Sequence, residues 1–141
     1  MQTFLPYPSF KKSVQALDYR RLGKQRVEGM QILNVLLNPS AKQGWKNHPA
    51  VLMWKGYEHA LKLYVNTCIE EWISRGYNNN MPLYVVECPV VYPPWYNSEQ
   101  FHSAHRSNLL RKDPKYYGQF HWVEPTDLPY YWPTHNTRPT N

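Results

Sequence analysis

Pro49-Ala-Val-Leu-Met-Trp-Lys-Gly-Tyr-Glu-His-Ala-Leu-Lys-Leu-Tyr-Val-Asn-Thr-Cys-Ile-Glu-Glu-Trp-Ile-Ser-Arg75 contains proline only at its first position. Trp54, Tyr57, Leu61, Tyr64, Cys68 and Trp72 recur every three or four residues. That spacing aligns side chains along one face of an α-helix. Proline suits the first position of a helix, where its missing N–H has no intrahelical partner to lose. Gly76 suits the residue just past the end, where left-handed backbone is common. The stretch predicts one helix over 49–75, about 27 residues or ~40 Å at ~1.5 Å per residue. Such a helix is the spine of a mainly α fold. Cys68 falls on its apolar face and reads as packing. Glu70 and Glu71 read as solvated.

Upstream, Asp18 suits the N-cap of a second helix reaching about Leu37, with Leu22, Val27, Met30, Leu33 and Leu37 as its apolar positions. Gly23 and Gly29 each cost a helix about 1 kcal/mol relative to alanine. They are either tolerated or present so that something can approach closely. Asn38-Pro39 ends the helix. Ser9 suits the cap of a short helix over 10–17, preceded by an extended arm, 1–8, that contains Pro6 and Pro8. Residues 38–48 read as a basic, polar loop. Downstream, Asn78-Asn79-Asn80 signals a turn, and Pro82, Pro89, Pro93 and Pro94 exclude a long helix. Leu83–Glu87 suits a short extended piece without a sheet. Ser98 suits the cap of a helix to about Lys112. Residues 113–141 form an irregular, aromatic-rich tail expected to pack on the body, fraying from Thr134. The expectation is a single compact domain, 1–141, of three to four helices around one long central helix.

The 141 residues suit one ordinary domain, and 42% apolar content suffices for one core. No run approaches the ~18–20 apolar residues that span a bilayer. The start lacks the layout of a signal peptide, so no membrane partner is expected and a cytoplasmic location is, in a bacterial or phage-infected cell. Cys68 and Cys88 have no zinc or disulfide spacing. A net charge of +6 favours phosphate-rich partners. Aromatics at 16% of the chain add surfaces on which bases stack. Together these favour nucleic acid or nucleotides over a neutral metabolite. No glycine-rich phosphate loop is present, and no cofactor is expected.

Leu17-Asp-Tyr-Arg-Arg-Leu-Gly-Lys-Gln-Arg-Val-Glu28 concentrates charge on the second helix. Arg21, Gln25 and Glu28 sit at i, i+4 and i+7 and so share a face. They form either a solvated ion-paired face or an acid–base carboxylate beside a polyanion. His102 and His105 stand at i and i+3, but no third ligand has a diagnostic spacing, so no metal is expected. His105, Arg106, Arg111 and Lys112 suit phosphate or base contacts on one helix. His48 suits either a cap for the central helix or a phosphate contact beside Lys46 and Trp45.

Three segments, in this order, resemble the pyrimidine-dimer DNA glycosylases, the endonuclease V type first known from bacteriophage. Arg21-Leu-Gly-Lys-Gln-Arg-Val-Glu28 looks like the helix that ends in that family's catalytic glutamate. His48–Tyr57, continuing to Glu71-Trp-Ile-Ser-Arg-Gly-Tyr77, looks like its long central helix and stop. Lys115-Tyr-Tyr-Gly118 looks like its aromatic C-terminal stretch. The Met1-Gln-Thr-Phe start and His105-Arg-Ser-Asn-Leu-Leu-Arg-Lys are similar to those of a small bacterial and phage branch near the family.

The resemblance implies attack by an N-terminal amine at the sugar C1′, imine formation, and β-elimination assisted by Glu28. The expected activity is a DNA glycosylase, with AP-lyase action as a further expectation, acting on damaged or modified bases. Gln2 is too large for removal of the initiator methionine, so the amine is expected on Met1. Val27 stands where the family usually has arginine, a role left to Arg21, Arg26 or another element. The expected catalytic set is Glu28, Met1, Arg21 and Gln25. Expected DNA or phosphate contacts are Arg20, Lys24, Arg26, Lys46, His48, His105, Arg106, Lys112, Tyr116 and Tyr117. The alternative is a non-catalytic protein that holds a nucleotide or small phosphorylated ligand, such as a phage protein sequestering a signalling nucleotide.

Overall fold

A computed structural model describes residues 2–38 and 46–133. Six α-helices occur among these: α1 (Phe10–Ala16), α2 (Tyr19–Leu37), α3 (Pro49–Leu52), α4 (Glu58–Ser74), α5 (Glu99–Lys112) and α6 (Pro114–Tyr117). Single 3-10 turns cover Pro94–Asn97 and Gly118–Phe120. No strand occurs among the described residues. The expectations for Met1, for Trp45 and most of the basic loop, and for the end from Thr134 lie outside them.

The expected helix starts hold because side chains cap them. Ser9 accepts from the Lys12 N–H, Asp18 from Arg21 and Ser98 from Phe101. Each takes up a backbone donor that has no partner within its helix. Gly76, at φ +90°, follows the end of α4 as expected.

The single helix expected over 49–75 is instead two, α3 and α4. Gly56, at φ +91°, takes the backbone into the left-handed region and breaks the helix. The spacing concealed the break because Trp54, within it, is still fully buried. The Trp54 indole meets Trp95 edge to face at 4.9 Å and donates from Nε1 to Thr3 Oγ1 at 3.0 Å. The apolar face thus continues through a segment that is not helical.

α2 lies against α4, and the two glycines of α2 set how closely. A Cβ on Gly29 would stand 2.5 Å from Val65 Cγ2, and one on Gly23 3.0 Å from the Trp72 ring. The buried stripe of α2 is Leu22, Gln25, Gly29, Ile32, Leu33 and Val35. Val27 and Leu37, expected on the apolar face, are exposed. A buried glutamine at the centre of that stripe needs partners for its amide, and those partners build the site described next.

Candidate active site

Gln25 is 1% exposed, and both ends of its amide are engaged. Its Oε1 accepts from the Phe4 N–H at 2.8 Å. The Tyr64 hydroxyl lies 2.8 Å from that oxygen and 2.8 Å from the Phe4 carbonyl, so its one proton serves both. With the oxygen so committed, Nε2 must face the other way, where it donates to Glu28 Oε2 at 2.9 Å. One side chain therefore ties the arm's backbone to the Glu28 carboxylate. Burial raises the Glu28 carboxyl above its ordinary range, although Lys24, the Gln25 N–H and Lys112 all favour the charged form.

Glu28 opens into a cavity of about 720 Å3, the size range of drug-sized ligand sites. α2 supplies one wall: Arg20, Arg21, Lys24, Gln25 and Glu28. The arm supplies Gln2 and Phe4. Lys112, at the end of α5, and Tyr130 and Trp132 of the tail complete it. Arg21 is held in place by Asp18, at 3.1 Å. The cavity thus brings together a partly buried carboxylate, four cations and the aromatic residues Phe4, Tyr130 and Trp132.

The sequence model of the pyrimidine dimer DNA glycosylase family matches residues 1–85, more than half of the chain. The chain belongs to that family. No curated protein and no solved structure matches it. Membership makes this a DNA glycosylase of the pyrimidine-dimer family, with damaged DNA as its partner.

In this glycosylase the residues expected at the site divide into two groups. Arg20, Arg21, Lys24, Gln25, Glu28 and Lys112 converge on the cavity. The other described ones do not line it. Arg26 leaves α2 on another side, where its guanidinium lies 4.3 Å from the Trp72 ring and donates to Asn79 at 2.6 Å. Lys46 is exposed elsewhere. His48 caps α3, its Nδ1 accepting the Ala50 N–H at 3.0 Å, which favours the capping role. Tyr117 is fully buried and donates its hydroxyl to Asp18, the cap of α2. Tyr116 is partly buried, its hydroxyl 3.5 Å from the Leu17 carbonyl. These tyrosines fasten the start of α2, and Tyr117, wholly enclosed, offers no stacking platform.

His105 and Arg106 correct the sequence reading most clearly. Both are buried, and both hold the arm. His105 Nδ1 accepts the Leu5 N–H at 2.9 Å, and burial pushes the ring's pKa down to about 3. A neutral, enclosed imidazole cannot serve a phosphate. Arg106 donates to the Pro6 carbonyl at 2.7 Å and pairs with Glu124 at 2.8 Å and with Glu99. His102 lies 2.6 Å from the Leu5 carbonyl. Ser13 takes the Tyr7 N–H at 3.1 Å and donates to the Tyr7 carbonyl at 3.0 Å. Side chains from several helices therefore fix the arm from Thr3 to Tyr7.

Gln2, Phe4, Tyr130 and Trp132 are the cavity residues that sequence reasoning missed. The extended arm was visible in Pro6 and Pro8, but nothing in its sequence shows which elements it touches. Among the described residues no group of three or more His, Cys, Asp or Glu is placed to hold a metal. None of the described helices is long and apolar enough to cross a membrane.

Proposed function

We propose that this glycosylase is bifunctional, excising a base and then cutting the strand, with the Met1 amine as nucleophile and Glu28 as the acid–base group. The observation that carries the reading is the Gln25 bridge, which joins the backbone of residue 4 to Glu28. Gln2, the next residue in the sequence after Met1, lines the same cavity. An α-amine has a reference pKa of about 7.7–8.0, so part of it is neutral near pH 7.

In this reading the nucleotide leaves the stack and its flanking phosphates lie against Arg20, Arg21, Lys24 and Lys112. The amine lone pair bonds to C1′ as the C1′–N bond breaks, and the base leaves with that electron pair and an amine proton. The C1′–O4′ bond then opens to a protonated imine, with Glu28 giving its proton to O4′. The raised pKa of Glu28 suits that donation. As a carboxylate, Glu28 next takes the C2′ proton. The electron pair forms C2′=C3′, and the 3′ phosphate leaves with the C3′–O pair.

Borohydride trapping tests the scheme. The protein is expected to cross-link to DNA carrying an abasic site, and Glu28→Gln to abolish turnover while binding persists. Absence of both trapping and base release on damaged, modified and abasic duplexes would overturn the reading and leave a site that only holds nucleotides.

A further inference from the structure

The arm is received by α5, which lies beyond residues 1–85, the part that the family model matches. Two histidines of α5, one turn apart, take the two ends of one residue's backbone. His105 Nδ1 accepts the Leu5 N–H, so that nitrogen carries no proton and the ring is neutral. His102 faces the Leu5 carbonyl with Nδ1 and the Tyr96 carbonyl with Nε2, each at 2.6 Å. A carbonyl oxygen only accepts. Two such oxygens call for two N–H donors, and a histidine has two only as the imidazolium. In either neutral tautomer one bare nitrogen would stand against a carbonyl oxygen, lone pair to lone pair. The short distances agree with a charged donor, because charge-assisted hydrogen bonds are shorter than neutral ones.

We propose that His102 is a positioning residue that works as an imidazolium, stapling the arm at Leu5 to the turn Pro94–Asn97. That turn is a firm anchor. The Trp95 indole donates to the Met53 carbonyl at 2.9 Å, and the Tyr96 ring meets Phe10 edge to face at 5.3 Å. His102 is 1% exposed and Leu5 is fully buried, so water is poorly placed to replace a lost donor. The charged neighbours on α5 offset one another. Arg106, one turn beyond His102, opposes a second cation, but it is paired with Glu99 and Glu124. Residues 2–8 of the arm and the turn bring only the hydroxyls of Tyr7 and Tyr96 as titratable groups. When rising pH removes one ring proton, one of the two carbonyls loses its donor. The arm then loosens beside Phe4, whose N–H meets Gln25, the partner of Glu28. The ring's proton is thereby coupled to the seating of the arm.

The proposal rests on the bifunctional reading only for its effect on catalysis, and the first test does not need that reading. Full-length protein carrying 15N-histidine is studied by NMR at pH 6, with the His102 ring assigned through its contacts with Leu5. Two slowly exchanging ring N–H signals are expected from His102, against a bare Nδ1 in His105. A bare nitrogen in the His102 ring at pH 6 overturns the proposal.

The second test compares borohydride trapping by wild type and His102→Gln on DNA carrying an abasic site, from pH 6 to pH 9. Glutamine has one amide nitrogen and serves one carbonyl. Wild type is expected to trap about tenfold faster at pH 6, in line with one hydrogen bond from a charged donor. The advantage should shrink severalfold by pH 9, as the wild-type ring gives up its proton. An advantage that is the same at every pH would make His102 purely structural and overturn the proposal. If neither protein traps, the bifunctional reading fails, and the NMR result alone decides the state of the staple.

Discussion

The Gln25 amide nitrogen donates to Glu28 Oε2 at 2.9 Å. Because the amide oxygen is committed to Phe4 N–H, the carboxylate and the arm are held in one register. Gln25→Leu removes both contacts and leaves a buried N–H without an acceptor, a loss of about 1–3 kcal/mol in urea unfolding. At a temperature where both proteins are folded, imine trapping is expected to fall at least tenfold. The pH profile should also move upward, because Glu28 loses a donor to its charged form. A stability loss with an unchanged trapping rate and profile would confine Gln25 to a structural role.

Burial raises the Glu28 pKa in the folded protein above its unfolded value. The unfolded chain therefore ionises first as pH rises, and stability is lost through the carboxyl range. Glu28→Gln removes that loss. The variant should melt higher than wild type at pH 7–8, with the gap closing as pH falls below about 4. Calorimetry between pH 4 and pH 8 reads this directly, and a variant less stable at pH 8 would contradict it.

Gly29 leaves no room for a methyl group, since a Cβ would meet Val65 Cγ2 at 2.5 Å. Gly29→Ala gains about 1 kcal/mol of helix propensity. It also forces α2 from α4, a strain of about 1–3 kcal/mol. Net destabilisation is expected in denaturant titrations, and Val65→Ala in the same chain should recover part of it. An alanine that stabilises the single variant would mean that the helices separate freely.

His105 titrates at about 3 because its ring is buried. An unfolded histidine has a pKa near ~6.5. The neutral ring's contribution is fully present above that value. Below it the unfolded chain binds a proton that the folded chain refuses, so stability is lost as pH falls toward 3. The slope from this group approaches about 1.4 kcal/mol per pH unit. His105→Asn offers an oxygen to the Leu5 N–H and does not titrate. Its melting temperature should change less than that of wild type between pH 6.5 and pH 4, and parallel curves would contradict the assignment.

The helices were legible where local chemistry decides them. Ser9, Asp18 and Ser98 accept backbone donors within their own first turns, and that pattern can be read without tertiary knowledge. The α2 side of the cavity was legible for the same reason, because residues at i, i+4 and i+7 share a face wherever the helix sits. The break at Gly56 was not, since burial of Trp54 maintained the apolar rhythm across it. Nor was the role of His105 and Arg106. Their charge suggested phosphate, but their partners, Leu5 and Pro6, are 100 residues away in sequence. Tyr130 and Trp132 were read as tail packing, and only the folded chain brings them to the same cavity as Glu28.

The bonds that fix Leu5 and Pro6 come from residues 105 and 106. On a ribosome, which makes the chain from its first residue, the arm emerges first and cannot be locked until α5 has followed it. Glu28 and Gln25 are complete long before then, but the backbone they are aligned with is still loose. A nascent or truncated chain that stops short of α5 would carry the charged face of α2 without the rigid arm that faces it. On the proposed mechanism, reactivity toward DNA would then have to await α5, and a chain lacking it would not cut a strand.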